Sequence, residues 1–189
     1  MLAKFAMISV AALFSASPIH ARAESFDAKK TLIAETARDL ANRNASLEEI
    51  DAAQEQLLEA FERLSTLIVR SVRTIGCRKA AEHFADFSKK LADLHIEALE
   101  ESKKTIEDRN RMSPTDFSNK FQGLILFATR ANTTLYRSRL DFADAALAQH
   151  CTDLANIFYR NVFAYGPPEF FKRAELGLRD VDAQRAKSK

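Results

Sequence analysis

The chain has 189 residues, with 28 Lys and Arg against 26 Asp and Glu, four Gly, four Pro, two Cys and no Trp. That length makes one domain able to bury a core without metals or many disulfides, and the near balance of charge excludes a global attraction to nucleic acid. Scarce Gly and Pro, abundant Ala, Leu, Glu, Lys and Arg, and no strand-like alternation exclude a sheet protein and predict an all-α fold.

Residues Met1 to Ala23 have the order of a secretory signal peptide. Lys4 gives the positive start, Phe5 to Phe14 the apolar run, Pro18 the break, and Ala21-Arg22-Ala23 the small-x-small cleavage site. An apolar run of about ten residues is half the roughly twenty needed to cross a bilayer, so no membrane span is expected. Removing Lys4 and Arg22 leaves 26 basic and 26 acidic residues, a formally neutral mature chain. The expected location is the periplasm or the exterior, an oxidising compartment in which two cysteines are most simply one disulfide.

From Phe26, Ile33, Ala37, Leu40 and Leu47 recur on one helical face and predict a first helix ending near Asn42 to Asn44. Ser46 and Glu49 then form a capping box. Behind it, Ile50, Ala53, Leu57, Ala60, Leu64, Leu67, Val72 and Ile75 make a heptad-like, coiled-coil-like stripe that Gly76 stops. Charges on this second helix segregate, acids from Glu48 to Glu62 and then Arg63, Arg70, Arg73, Arg78 and Lys79. The pattern suits the helix macrodipole, and it also makes Arg70, Arg73, Arg78 and Lys79 a candidate surface for an anionic partner.

A third helix is expected from about Arg78 to Arg111, with Phe84, Phe87, Leu91, Leu94, Ala98 and Ile106 as its buried seam. Ser113-Pro114-Thr115-Asp116 combines a cap, a proline at the first helical position and an acid in the first turn, three signals for a fourth helix. Its seam is Phe117, Phe121, Leu124, Ala128, Ala131, Leu135, Phe142 and Leu147, and Asn132-Thr133-Thr134 is the place where a kink would cost least.

Cys77 and Cys151 lie at nearly equal distances from the turn at Ser113. Two arms of about 35 residues, each about 50 Å long at 1.5 Å per residue, return both cysteines to one end. This predicts a Cys77–Cys151 disulfide and a fourth helix continuous at least to Cys151.

Beyond Cys151, Phe158, Tyr159, Phe163, Tyr165, Phe170 and Phe171 surround Gly166-Pro167-Pro168. The glycine and prolines end the helix, a short helix from Pro168 to about Leu178 follows, and residues 179–189 read as a polar, frayed tail. The rings can plug the end of the bundle or form a docking surface for a partner.

The expected architecture is therefore an antiparallel bundle of four main helices plus a short C-terminal helix, spanning 24–178, with one disulfide. No Glu-x-x-His, His-Glu-x-x-His, Cys-x-x-Cys-His or phosphate-cradling glycine loop occurs, so no catalytic residue, metal or cofactor is assigned. The expected function is non-catalytic binding in the periplasm through another protein, with self-association open. The alternative is a small-molecule or metal-binding bundle using a cavity or the Cys77, His150 and Cys151 region, where two sulfurs and an imidazole could meet a soft metal.

Overall fold

A computed structural model of the protein describes residues 47–187, with side chains from residue 52 onward. The signal-like segment, the helix expected over 26–44 and the capping box at Ser46 lie outside the described residues. Five α-helices follow: α1 (Leu47–Ile75), α2 (Cys77–Glu107), α3 (Pro114–Ala148), α4 (Thr152–Tyr165) and α5 (Phe171–Lys187). Short 3-10 turns occupy Arg109–Arg111 and Pro168–Phe170, and the described residues contain no strand.

The long helices alternate in direction, as cross-helix contacts show. Glu55 meets Arg130 and Glu62 meets Thr134, so α1 and α3 run parallel. His95 bonds the Ala128 carbonyl at 2.9 Å while Lys120 reaches back to Glu101 at 3.0 Å, so α2 runs against α3. This is the expected all-α, antiparallel bundle, and the apolar stripes explain it: Leu57, Leu64, Val72, Phe84, Phe87, Leu91, Ala131, Leu135 and Phe142 are all buried. Phe84 stands at the centre of an aromatic layer, its ring 5.4 Å from Phe87, 4.6 Å from Phe142 and 5.2 Å from Phe158.

Local signals acted largely as physical chemistry dictates. Ser113 Oγ accepts the Asp116 amide at 3.1 Å with Pro114 in the first turn, which starts α3. Gly76 takes φ 82°, the left-handed conformation that separates α1 from α2 without a longer loop. Helix α3 continues unbroken through Asn132-Thr133-Thr134, where packing overrides weak propensity: Thr134 is buried and its hydroxyl donates to Glu62 across the α1 seam.

Three expectations need correction. Helix α2 ends at Glu107 rather than Arg111, and Ile106 is 52% exposed rather than buried. Ser102 and Thr105 take the inward positions, made tolerable by hydroxyl bonds to the carbonyls of Leu99 at 2.7 Å and Glu101 at 2.8 Å.

Helix α3 does not reach Cys151; it stops at Ala148. His150 adopts φ 59°, its amide donates to the Leu147 carbonyl and the Cys151 amide to the Ala146 carbonyl. That is a Schellman stop with histidine in the place glycine usually takes. The chain then reverses, and Cys151 caps α4.

The C-terminal segment is longer than expected. Helix α5 runs to Lys187, and Val181 is fully buried where a frayed tail was expected. Gln184 reaches the Leu147 carbonyl and Arg185 pairs with Asp153, so α5 returns along α4 to the end of α3.

Candidate functional site

The two cysteines meet as expected. Cys77 and Cys151 are joined, 74 residues apart in sequence and with Cα atoms 6.6 Å apart. The bond ties the α1–α2 turn to the α3–α4 turn, so it fixes the end of the bundle from which α4 folds back and to which α5 returns. Both sulfurs are used, which leaves exposed His150 without the thiolates that a metal would share. Among the described residues no group of three or more His, Cys, Asp and Glu side chains could hold a metal ion.

The aromatic segment divides in two. Tyr159 is 1% exposed and Phe158 half-buried, with the Phe158 ring 5.0 Å from Phe142 and edge-on to Phe84. These two plug the bundle. Phe163 is 48% and Tyr165 73% exposed, and they are the only aromatic members among the strongly exposed large apolar side chains of the described residues. Phe170 and Phe171 are half-buried, with Phe171 5.8 Å from the Phe163 ring. Exposed Ile96, Leu99 and Ile106 on α2 lie instead among Lys and Glu side chains.

A clip of charged and polar groups fixes the corner that carries these rings. Tyr159 donates its hydroxyl to Asp144, and Arg173 donates to Asp144 and, at 2.6 Å, to Asp141. Burial raises the Tyr159 hydroxyl above its ordinary range, and the bond to the Asp144 carboxylate adds to this. Burial opposes the Arg173 charge, yet its bonds to Asp144 and Asp141 outweigh burial and hold the guanidinium above its ordinary value. The Tyr159 ring packs against α5 at Gly177, where a Cβ would come within 2.3 Å of ring carbons. Only glycine permits that approach.

No protein-family model, curated protein or solved structure matches this chain. One group at the corner stands out. Arg139 is half-buried beside the corner, yet no carboxylate pairs with it among the described residues. Its partners are the Asn161 amide oxygen at 2.8 Å and the Tyr136 ring, 4.9 Å from its guanidinium. Burial pulls this guanidinium below its ordinary value, and Tyr136 only partly restores it. By contrast Arg63, Arg111, Arg130, Arg137, Arg173, Arg179 and Arg185 each have an acidic partner.

Asn161 and Tyr165 are four residues apart on α4 and share a helical face. Gly166, next in the chain, sits close to the Tyr136 ring. The seam thus brings Tyr136, Arg139 and Asn161 together, with Tyr165 one helical turn beyond Asn161. Sequence reasoning found Tyr165 and missed the other three. Arg139 lies on the edge of the α3 stripe, four residues after buried Leu135 and three before buried Phe142, and that position was the available signal.

The basic run is dispersed into solvent. Arg70, Arg73, Arg78 and Lys79 are all exposed, and among the described residues only Arg78 has an acid in range, Glu82 at 3.9 Å. An open cleft of about 150 Å³ lies between α1 and α3, lined by Gln54, Glu55, Leu58, Leu126, Phe127 and Arg130. The Arg130 guanidinium grips Glu55 across it with one bond of 2.7 Å. A hydrogen bond from Arg130 holds the Glu55 carboxyl below its usual range.

Proposed function

We propose that this is an exported, periplasmic protein that acts by non-catalytic binding of another protein. Its contact surface is the α4–α5 corner, with Phe163 and Tyr165 as apolar anchors and Arg139 as the charged one. The observation that carries this reading is the 73% exposure of Tyr165, one helical turn along α4 from the Asn161 that holds a half-buried Arg139 with no carboxylate partner among the described residues. Aromatic and arginine side chains dominate the energetics of protein interfaces, and a partner's carboxylate would complete the pairing that Arg139 lacks. Bonds of Tyr159 and Arg173 to Asp144 and Asp141 hold the corner, and such preorganisation lowers the entropy cost of binding.

A small-molecule role draws less support. Ligand sites are typically several hundred Å³ and mostly enclosed, whereas the α1–α3 cleft is about 150 Å³ and open. The described helices include none long and apolar enough to cross a membrane.

Export rests on the signal-like order of Met1 to Ala23, and a disulfide accords with an oxidising compartment. The mature protein should begin at Glu24. Intact mass of the exported chain checks this, and retention of Met1 to Ala23 would rule it out.

For the contact itself, a photo-crosslinking residue placed at Tyr165 should capture one defined protein in the periplasm. The same residue at exposed Glu100 on α2 should not. Equal labelling from both positions would remove the corner as the binding surface.

A further inference from the structure

A second surface, independent of the aromatic corner, carries a separate inference. We infer that the α1–α2 turn at the disulfide end docks on an anionic phospholipid surface. Helix geometry, at 1.5 Å per residue, puts Arg70, Arg73, Arg78 and Lys79 within about 10 Å of Gly76 along the helix axes. All four are exposed, and Arg70, Arg73 and Lys79 have no ion pair among the described residues. Among the described residues Arg78 pairs with Glu82, at 3.9 Å, with side chains 96% and 69% exposed, a contact too solvated to neutralise it. The other acids toward this end include, among the described residues, Asp86, exposed on α2, Asp182, exposed on α5, and Asp153, which Arg185 already engages. Lys187 at the end of α5 adds another exposed base.

The apolar content of the turn selects the kind of partner. Ile75, immediately before the left-handed Gly76, is 39% exposed between Arg73 and Arg78, and Leu67, two turns back, is 38% exposed. A nucleic acid or an acidic polymer gains nothing from an exposed isoleucine at the tip. A bilayer interface accepts the isoleucine below the phosphates and the guanidinium heads at their level, the arrangement of interfacial basic surfaces. The mature chain is formally neutral by its composition, so attraction must be local to the turn. The disulfide holds the turn in place against α3 and α4, so its four charges act as a set.

Flotation of the disulfide-bonded protein with vesicles tests this directly. The protein should rise with vesicles of phosphatidylglycerol mixed with phosphatidylcholine, and not with phosphatidylcholine alone. Each base near an anionic surface raises partition by about fivefold, so Arg73→Glu/Arg78→Glu should lower it by at least about 25-fold. Ile75→Ser should lower it further, and added salt should release the protein. Arg70→Glu/Lys79→Glu gives a second, equally exposed pair should the first variant fold poorly. Equal flotation with both vesicle types, or no loss in either charge-reversed variant, would overturn the inference. So would binding of double-stranded DNA or polyglutamate as tight as binding of the anionic vesicles, which would reassign the turn to a soluble polyanion or an acidic protein.

Discussion

Phe84→Ala should lower the unfolding free energy by about 4 to 5 kcal/mol, the largest loss expected from any single substitution in the bundle. The side chain has no exposed surface, so the truncation creates a cavity rather than a dent. Its ring touches three others, from α2, α3 and α4, and each such pair contributes about 0.5 to 1.5 kcal/mol beyond area burial. A domain of this size has roughly 5 to 15 kcal/mol in all, so the variant should stand near the edge of folding. Chemical denaturation measures the shift in midpoint. A loss below about 1 kcal/mol would mean that the aromatic layer does not hold the helices together.

Removal of the disulfide by Cys77→Ser/Cys151→Ser should cost about 4 kcal/mol in the chain-entropy model. The crosslink closes a loop across 74 residues of sequence, which includes all of α2 and α3. In melting temperature this is on the order of 10 °C for a chain of this length. Loss should also loosen the α3–α4 turn. His150 holds a left-handed conformation that costs a non-glycine residue about 1 to 2 kcal/mol, and its neighbour Cys151 is the anchored residue that helps to enforce it. Reductant added to the native protein should reproduce the melting shift of the double variant. Identical melting of the oxidised and serine forms would contradict the account.

Much of the fold was legible because independent signals agreed. The distances of Cys77 and Cys151 from the Ser113-Pro114 turn predicted both the bundle direction and the bond between them. The stripes through Leu57, Leu64 and Val72, and through Phe84, Phe87 and Leu91, predicted the buried faces. The stop at Ala148 was not legible, because the left-handed position is filled by His150 and not by glycine, and propensity alone runs the helix onward. The length of α5 was missed for a related reason. Its sequence is polar, with Ala174, Gly177 and Val181 as the inward-facing residues, and it is held by Arg173 and Arg185 on acids from other helices. Gly177 inside a helical segment was a sign of close approach, here to the Tyr159 ring.

The candidate site was half legible. Composition singled out the rings around Gly166-Pro167-Pro168, but composition cannot divide them into Phe158 and Tyr159 inside and Phe163 and Tyr165 outside. That division depends on which face of α4 meets α2 and α3. Arg139 was invisible for the same reason, since nothing in a list of 28 basic residues marks an arginine that folding leaves partly buried against an amide and a ring.

The central claim is that Phe163 and Tyr165 serve contact and not stability, and one double variant, Phe163→Ser/Tyr165→Ser, tests it most directly. Exposed positions of this kind change stability by about 1 kcal/mol or less, whereas buried aromatic truncations cost about 3 to 5 each. The variant, carrying the photo-crosslinking residue at half-buried Phe170 on the corner, should keep its denaturation midpoint and lose the protein that the parent captures from that position. A fall in stability of several kcal/mol, or undiminished capture, would contradict the account.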